Sequence, residues 1–305
     1  MPSATRPAKA QAYAALRAGL LESMSAERAA LVDETGRTCT FEDNLSRTLS
    51  GSQVATLRAQ LAAGDGGELS GAQDGGRPDA HAAHSSSALA FNAFGAWLGF
   101  EPQLVVDGVS GFSVPLRVEA RQRIFRGGRA PNLDCLLTGP TVVVGIESKL
   151  TEPLAAHPMG SWSDAFGRSS CRALLAGGWL ETLDDARSGE YQPVYLDADQ
   201  LLKHALGLSK QHPDRERHLV YVYWEPANGD QVNEVVAHRR EIAELVGRIG
   251  DATPHLHALT YAELWTQWEQ LPDIPWLREH VTAFRERYAR ALAGSDHGPR
   301  QHTNG

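Results

Sequence analysis

From Ala8 to Leu31 the chain is rich in Ala, Leu, Arg and Glu with few breakers, which predicts a helix, and Leu45–Leu61 predicts a second. The pattern changes over residues 63–84, where Gly, Asp, Ala and His recur around Asp74–Gly75–Gly76, and this stretch reads as a linker. Ser85, Ser86 and Ser87 then offer N-caps for a helix to about Leu98, and the apolar Leu89, Phe91, Phe94, Trp97 and Leu98 predict that it packs deeply. Residues 131–150 read as a hairpin, with strand Leu133–Leu137, a turn over Thr138–Thr141 and strand Val142–Leu150. The uninterrupted run Val142–Val143–Val144–Gly145–Ile146 suits a central strand covered on both faces. Residues 157–193 carry no clear period. Asp197–Ala198–Asp199–Gln200 has the form of a capping box opening a helix over Leu201–Leu206. A strand over Leu219–Trp224, a helix over Gln231–Ile249, a short strand His255–Thr260 and helices Tyr261–Gln270 and Trp276–Leu292 follow. This order predicts an α/β domain over 85–292, preceded by a helical extension over 1–62 and followed by a disordered polar tail over 293–305.

Composition narrows the class. Hydrophobic residues at 42% and charged residues at 22% fit an ordinary globular chain, and no apolar run approaches the roughly 18–20 residues that span a bilayer. Cys39, Cys135 and Cys171 match neither a disulfide framework nor a zinc site, and no secretory pattern opens the chain, so a cytoplasmic protein is expected. A net charge of −8 argues against wholesale coating of nucleic acid. A local basic run exists nonetheless: Arg117, Arg121, Arg123, Arg126 and Arg129 are opposed only by Glu119.

That run leads into the residues that can carry chemistry. Alternate residues of a strand share a face, so Glu147 and Lys149 point the same way, roughly 7 Å apart along it. Asp134 lies on the partner strand of the hairpin, and two carboxylates with an ammonium can converge at one end of a sheet. Charges at the end of an apolar strand are costly unless paired or metal-bound, and a hard divalent cation relieves the repulsion between two carboxylates. Such an ion can activate a water against a phosphodiester, with Lys149 orienting or deprotonating that water or holding the phosphate. The competing reading is a structural Glu147–Lys149 ion pair with Asp134 as a turn residue.

Asp134 followed by Glu147–Ser148–Lys149 resembles the PD-(D/E)XK nuclease superfamily. Ser85–Ser86–Ser87–Ala88 with Asn92 and Phe94, Pro131–Asn132–Leu133–Asp134, and Asp199–Gln200–Leu201–Leu202–Lys203–His204 are similar to motifs of a bacterial branch of it. The likeness spans roughly residues 84–250, with Leu133 rather than Pro before Asp134. It implies a restriction-endonuclease-like mixed central sheet flanked by helices, with Asp134 and Glu147 as ligands for Mg²⁺ (Mn²⁺ as substitute) and Lys149 as the catalytic lysine.

Further candidates gather around this core. Gln200, Lys203 and His204 share one helix face and can approach the scissile phosphate or the attacking water, Gln200 and Lys203 foremost. Glu119 is a possible third metal ligand. Arg121, Arg123, Arg126, Arg129, Lys203, Ser86 and Asn92 are assigned to nucleic-acid contact, and Asn92, a polar residue in an apolar helix, alternatively braces the site or ties down a neighbouring loop. The expectation is a metal-dependent endonuclease acting on DNA in defence or repair, as a homodimer or with an accessory protein and away from membranes. The alternatives are a dormant nucleic-acid-binding module on the same fold and an enzyme for a small phosphorylated substrate.

Overall fold

Five strands form one mixed sheet in the order β1-β2-β3-β4-β5: β1 (Val114–Arg121), β2 (Asn132–Thr138), β3 (Val142–Lys149), β4 (Glu216–Tyr223) and β5 (His255–Thr260). The first three are antiparallel neighbours, and β3, β4 and β5 run parallel. This computed structural model describes residues 7–63, 69, 78–127 and 130–293. Its helices are α1 (Ala8–Glu22), α2 (Ala26–Ala29), α3 (Phe41–Asn44), α4 (Gly51–Ala63), α5 (Ser86–Gly95), α6 (Ser169–Arg172), α7 (Gly178–Ser188), α8 (Ala198–Gln211), α9 (Asn233–Ile249), α10 (Tyr261–Glu269) and α11 (Leu277–Tyr288). None is long and apolar enough to cross a membrane.

Every residue of β3 is buried, because helices cover both faces of the sheet. On one face, α7, α8 and α9 pack Trp179, Leu202, Leu208 and Leu245 against Val143, Leu219 and Tyr221. On the other, Phe91 and Phe94 of α5 and Tyr261 and Trp265 of α10 meet Val144, Ile146 and Val220. Gly145 lets α8 come close: a Cβ there would lie 2.7 Å from Leu133 and 3.0 Å from Leu208. The approach brings the first turns of α8 over the end of β3.

The N-terminal helices share the second core rather than forming a layer of their own. Leu16, Phe41, Leu49, Leu57 and Leu61 belong to the same cluster as Phe94, Val144, Phe284 and Tyr288. Their polar ties are as specific. Gln60 of α4 accepts from the Val118 N–H at 2.7 Å and donates to the Leu116 carbonyl at 2.9 Å, which covers the outer edge of β1. Arg287 of α11, buried, donates to the Asn44 carbonyl at 2.7 Å.

Strand β1 and helices α3, α6 and α7 had no counterpart in the hydrophobic pattern. Strand β1 contains Pro115, Arg117, Glu119 and Arg121, a composition that an edge strand tolerates and a central one does not. Helix α7 falls in the stretch without clear period. The expected linker lies largely outside the described residues, but its end, Asp79–His81, is a 3₁₀ turn, and Asn44 donates to the Ala80 and Ala82 carbonyls. All of the expected tail but Ala293 lies outside the described residues as well.

Candidate active site

Three carboxylates come side by side on neighbouring strands. The pairs Val118–Cys135 and Ala120–Leu133 set Glu119 opposite Asp134, and Cys135–Ile146 places Asp134 next to Glu147. Glu119 has a left-handed backbone, φ 48°, and the strands change layer around it. Val118 and Cys135 pack in one core, Ala120 and Leu133 in the other. A non-glycine residue held at positive φ costs about 1–3 kcal/mol and is typical of sites where backbone geometry serves function.

Hydrogen bonds hold this row in place. The Ser148 N–H donates to Asp134 Oδ2 at 2.8 Å. The Ser148 side chain points to the opposite face, where its hydroxyl lies 2.7 Å from that of Tyr261 and donates to the Ser86 carbonyl at 3.2 Å. Lys149 Nζ donates to Glu147 Oε1 at 2.7 Å and to Gln200 Oε1 at 2.6 Å. His204 Nε2 stands 2.8 Å from Glu147 Oε2, an ion-pair distance, and both atoms are buried.

Burial dominates the electrostatics. It drives the Asp134 carboxyl well above its usual range, and the neighbouring Glu147 and Glu119 push it further. Burial also acts against ionised Glu147, but Lys149 and His204 outweigh it and hold that carboxyl low. For Lys149 the burial cost is overcome by Glu147, Glu152 and Asp197, so the ammonium stays charged.

A second group lines the same cleft of about 620 Å³, which also takes in Ser86, Ser87, Phe125, Phe166 and Lys203. Asp197 caps α8, accepting from the Gln200 N–H at 3.1 Å, and lies 3.3 Å from His157 Nε2. Asp199 accepts from Lys203 Nζ at 2.6 Å. Burial and the adjoining Asp199 raise the Asp197 carboxyl to about 6. Burial disfavours charge on Asp199 too, but its hydrogen bonds with Asp197 and Lys203 hold its own carboxyl below the usual value.

Sequence-predicted residues therefore meet the cleft unequally. Asp134, Glu147, Lys149, Glu119, Gln200, Lys203 and Ser86 line it. Lys203 is engaged with Asp199 and sits 5.2 Å over the Trp162 ring. Arg123 and Arg126 are exposed on the segment that flanks the cleft, and Arg121 is half-buried at the end of β1. Arg129 lies outside the described residues. Asn92 requires a correction. It is fully buried, accepts from the Ser46 N–H at 2.5 Å and donates to the Asn44 carbonyl at 3.1 Å, so it fastens the N-terminal segment and cannot touch nucleic acid. His157, Asp197 and Asp199 were not singled out for chemistry. His157 sits in the stretch without period, and the two aspartates read as helix-capping residues.

A mixed sheet with a carboxylate row and a lysine at the end of its central strand is the arrangement of a restriction-endonuclease-like protein. The sequence profile of the family described as "Restriction Endonuclease associating with ARP" matches residues 26–289, and the chain belongs to that family. No curated protein and no solved structure matches it significantly.

Proposed function

We propose that the chain is a Mg²⁺-dependent endonuclease of the PD-(D/E)XK type that hydrolyses DNA phosphodiester bonds. The charge balance of the cleft carries this reading. Five carboxylates line it (Glu119, Asp134, Glu147, Asp197 and Asp199) against two ammonium groups, Lys149 and Lys203. A polyanion can enter such a cleft only with cations. The donors fit a hard divalent ion, being oxygens, and Glu147 Oε2 is buried with the His204 ring, at 2.8 Å, as its neighbour. Asp134 and Glu147 would hold the ion; Glu119 faces Asp134 from the neighbouring strand, but among the described residues the three carboxylates do not close into one ligand group. Bound there, Mg²⁺ supplies a water of lowered pKa and offsets the charge that builds on the phosphoryl oxygens.

The chain's own residues do the rest. Lys149, kept charged by its neighbours, serves better as a donor to the attacking water or a phosphate oxygen than as a base. Gln200 fixes the direction of that ammonium through its 2.6 Å bond. Ser148 anchors Asp134 through the backbone. Ser86 and Ser87 place hydroxyls along the cleft, and Arg123 and Arg126 offer phosphate contacts on its flank. A role in defence or repair agrees with the family, whose description also names an association, which supports a search for an accessory protein.

Cleavage of supercoiled plasmid and linear duplex with Mg²⁺, Mn²⁺ or EDTA tests the reading, with Glu147→Gln and Lys149→Ala alongside. Metal-dependent cutting that both variants lose is expected. Absence of both cutting and metal binding would sink it. A second reading, an enzyme for a small phosphorylated substrate, draws on the cleft volume of about 620 Å³ and on arginines that flank rather than line it. Turnover of a small phosphodiester with duplex DNA left intact would favour that alternative.

A further inference from the structure

We propose that His157, Asp197 and Asp199 form a second divalent-cation site in the same cleft, distinct from the Asp134–Glu147 position and suited to an ion that accepts nitrogen as well as oxygen. Their ligating atoms all lie within 4.8 Å of one another. Ligands held at about 2.0–2.3 Å from one ion stand no more than roughly 4.6 Å apart, so the set needs only slight closure. An imidazole with two carboxylates suits Mn²⁺ or Zn²⁺ better than Mg²⁺, which prefers an all-oxygen shell.

An independent observation separates this group from an ordinary acidic cluster. Asp199 is 8% exposed, and its two oxygens differ. Oδ2 accepts from Lys203, whereas Oδ1 is buried with no N–H or hydroxyl reaching it, so the one further partner of this carboxylate is the carboxyl of Asp197, and two carboxylates in contact need a proton or a cation between them. A buried carboxylate oxygen left without a donor is unusual in a folded protein and calls for an ion or an equivalent partner. Asp197 offers the matching half. One of its oxygens caps α8 through the Gln200 N–H, and the other faces His157 Nε2 at 3.3 Å. His157 is held through its main chain, which donates to the Val194 carbonyl at 2.5 Å, while its ring is half exposed at the cleft.

The charge count leads to the same place. With five carboxylates against two ammonium groups, the cleft has three negative charges in excess once an ion has displaced the Asp134 proton. One divalent ion would leave it negative, and a second would turn it positive, the sign a phosphate chain requires. Gln200 joins the two positions: its side chain accepts from Lys149, and its N–H donates to Asp197. Under the nuclease reading, which this extension rests on for its role, the second ion would hold a phosphate next to the one attacked.

Mn²⁺ titration of the full chain, with bound ion counted by electron paramagnetic resonance and imidazole ligation read from the ¹⁴N coupling, tests the site. Two bound equivalents are expected for the wild type. Glu147→Gln should keep one equivalent with nitrogen coupling, and adding His157→Ala to it should abolish the coupling. Asp197→Asn should lose one equivalent while keeping α8 intact by circular dichroism, since Asn caps helices as well as Asp does. A single equivalent that Glu147→Gln removes, or coupling that survives His157→Ala, would overturn this site and leave the nuclease reading standing. No bound Mn²⁺ in any form would overturn both.

Discussion

Lys149 and Gln200, from a strand and a helix far apart in sequence, are joined by a 2.6 Å hydrogen bond, and Glu147 takes a second donor of the same ammonium at 2.7 Å. Lysine side chains are flexible, and this one is fixed from two sides. Lys149→Met should remove cleavage by at least about 10²-fold while Mn²⁺ still binds. Gln200→Ala should slow it by roughly 10–100-fold with little change in KM, because it misdirects an ammonium that remains present. Single-turnover rates measured beside metal titration separate the two effects.

Metal binding should expel a proton. Burial first, then Glu147 and Glu119, raise the Asp134 carboxyl, so the metal-free protein keeps a proton that a cation must displace. Mg²⁺ affinity should therefore rise with pH, by up to about tenfold per unit below the Asp134 pKa. The same raised pKa costs the metal-free fold stability as pH rises through it. The Tm gain from Mg²⁺ should then be larger at pH 8 than at pH 6. A gain independent of pH would contradict a protonated Asp134.

Acid should destabilise the protein through His280. Burial lowers its pKa to about 4, with its ring against Thr48 Oγ1 at 2.6 Å. Between that value and the ordinary 6.5 the unfolded chain binds the proton and the folded one does not, so stability falls with falling pH, by at most about 1.4 kcal/mol per unit. Urea unfolding of His280→Gln at pH 7 and pH 5 should show a smaller difference than the wild type.

Gly145→Ala should cost about 1–3 kcal/mol, since the new methyl would press on Leu133 and Leu208 in a filled core. Because α8 must yield, activity should fall along with Tm. A variant that loses Tm but keeps full activity would show that β3 and α8 are less tightly coupled than their packing indicates.

Part of the site was legible because its residues break local rules. Glu147 and Lys149 put charge on a strand otherwise written for burial, and period 2 puts them on one face. Gln200 and His204 share a helical face by simple spacing, and the structure turns both toward Glu147 and Lys149. The rest depends on folding. β1 hides behind Pro115 and its alternating charges, as an edge strand can. The positive φ of Glu119 leaves no mark in the residue type. His157 meets Asp197 only because the segment after β3 folds back over α8. Asn92 has the look of a functional polar residue in an apolar helix, yet its partners are backbone groups of the N-terminal segment.

That N-terminal segment bears on how this domain can be inherited or engineered. Gln60 closes the sheet edge that carries Glu119, and Arg287 of α11 and Asn92 of α5 grip Asn44 and Ser46. A cassette beginning at Ser85 would arrive with an open strand edge, two unanswered buried polar side chains and a bared apolar face. The candidate site therefore travels with its leading helices or not at all, and any fusion that borrows it must take them too.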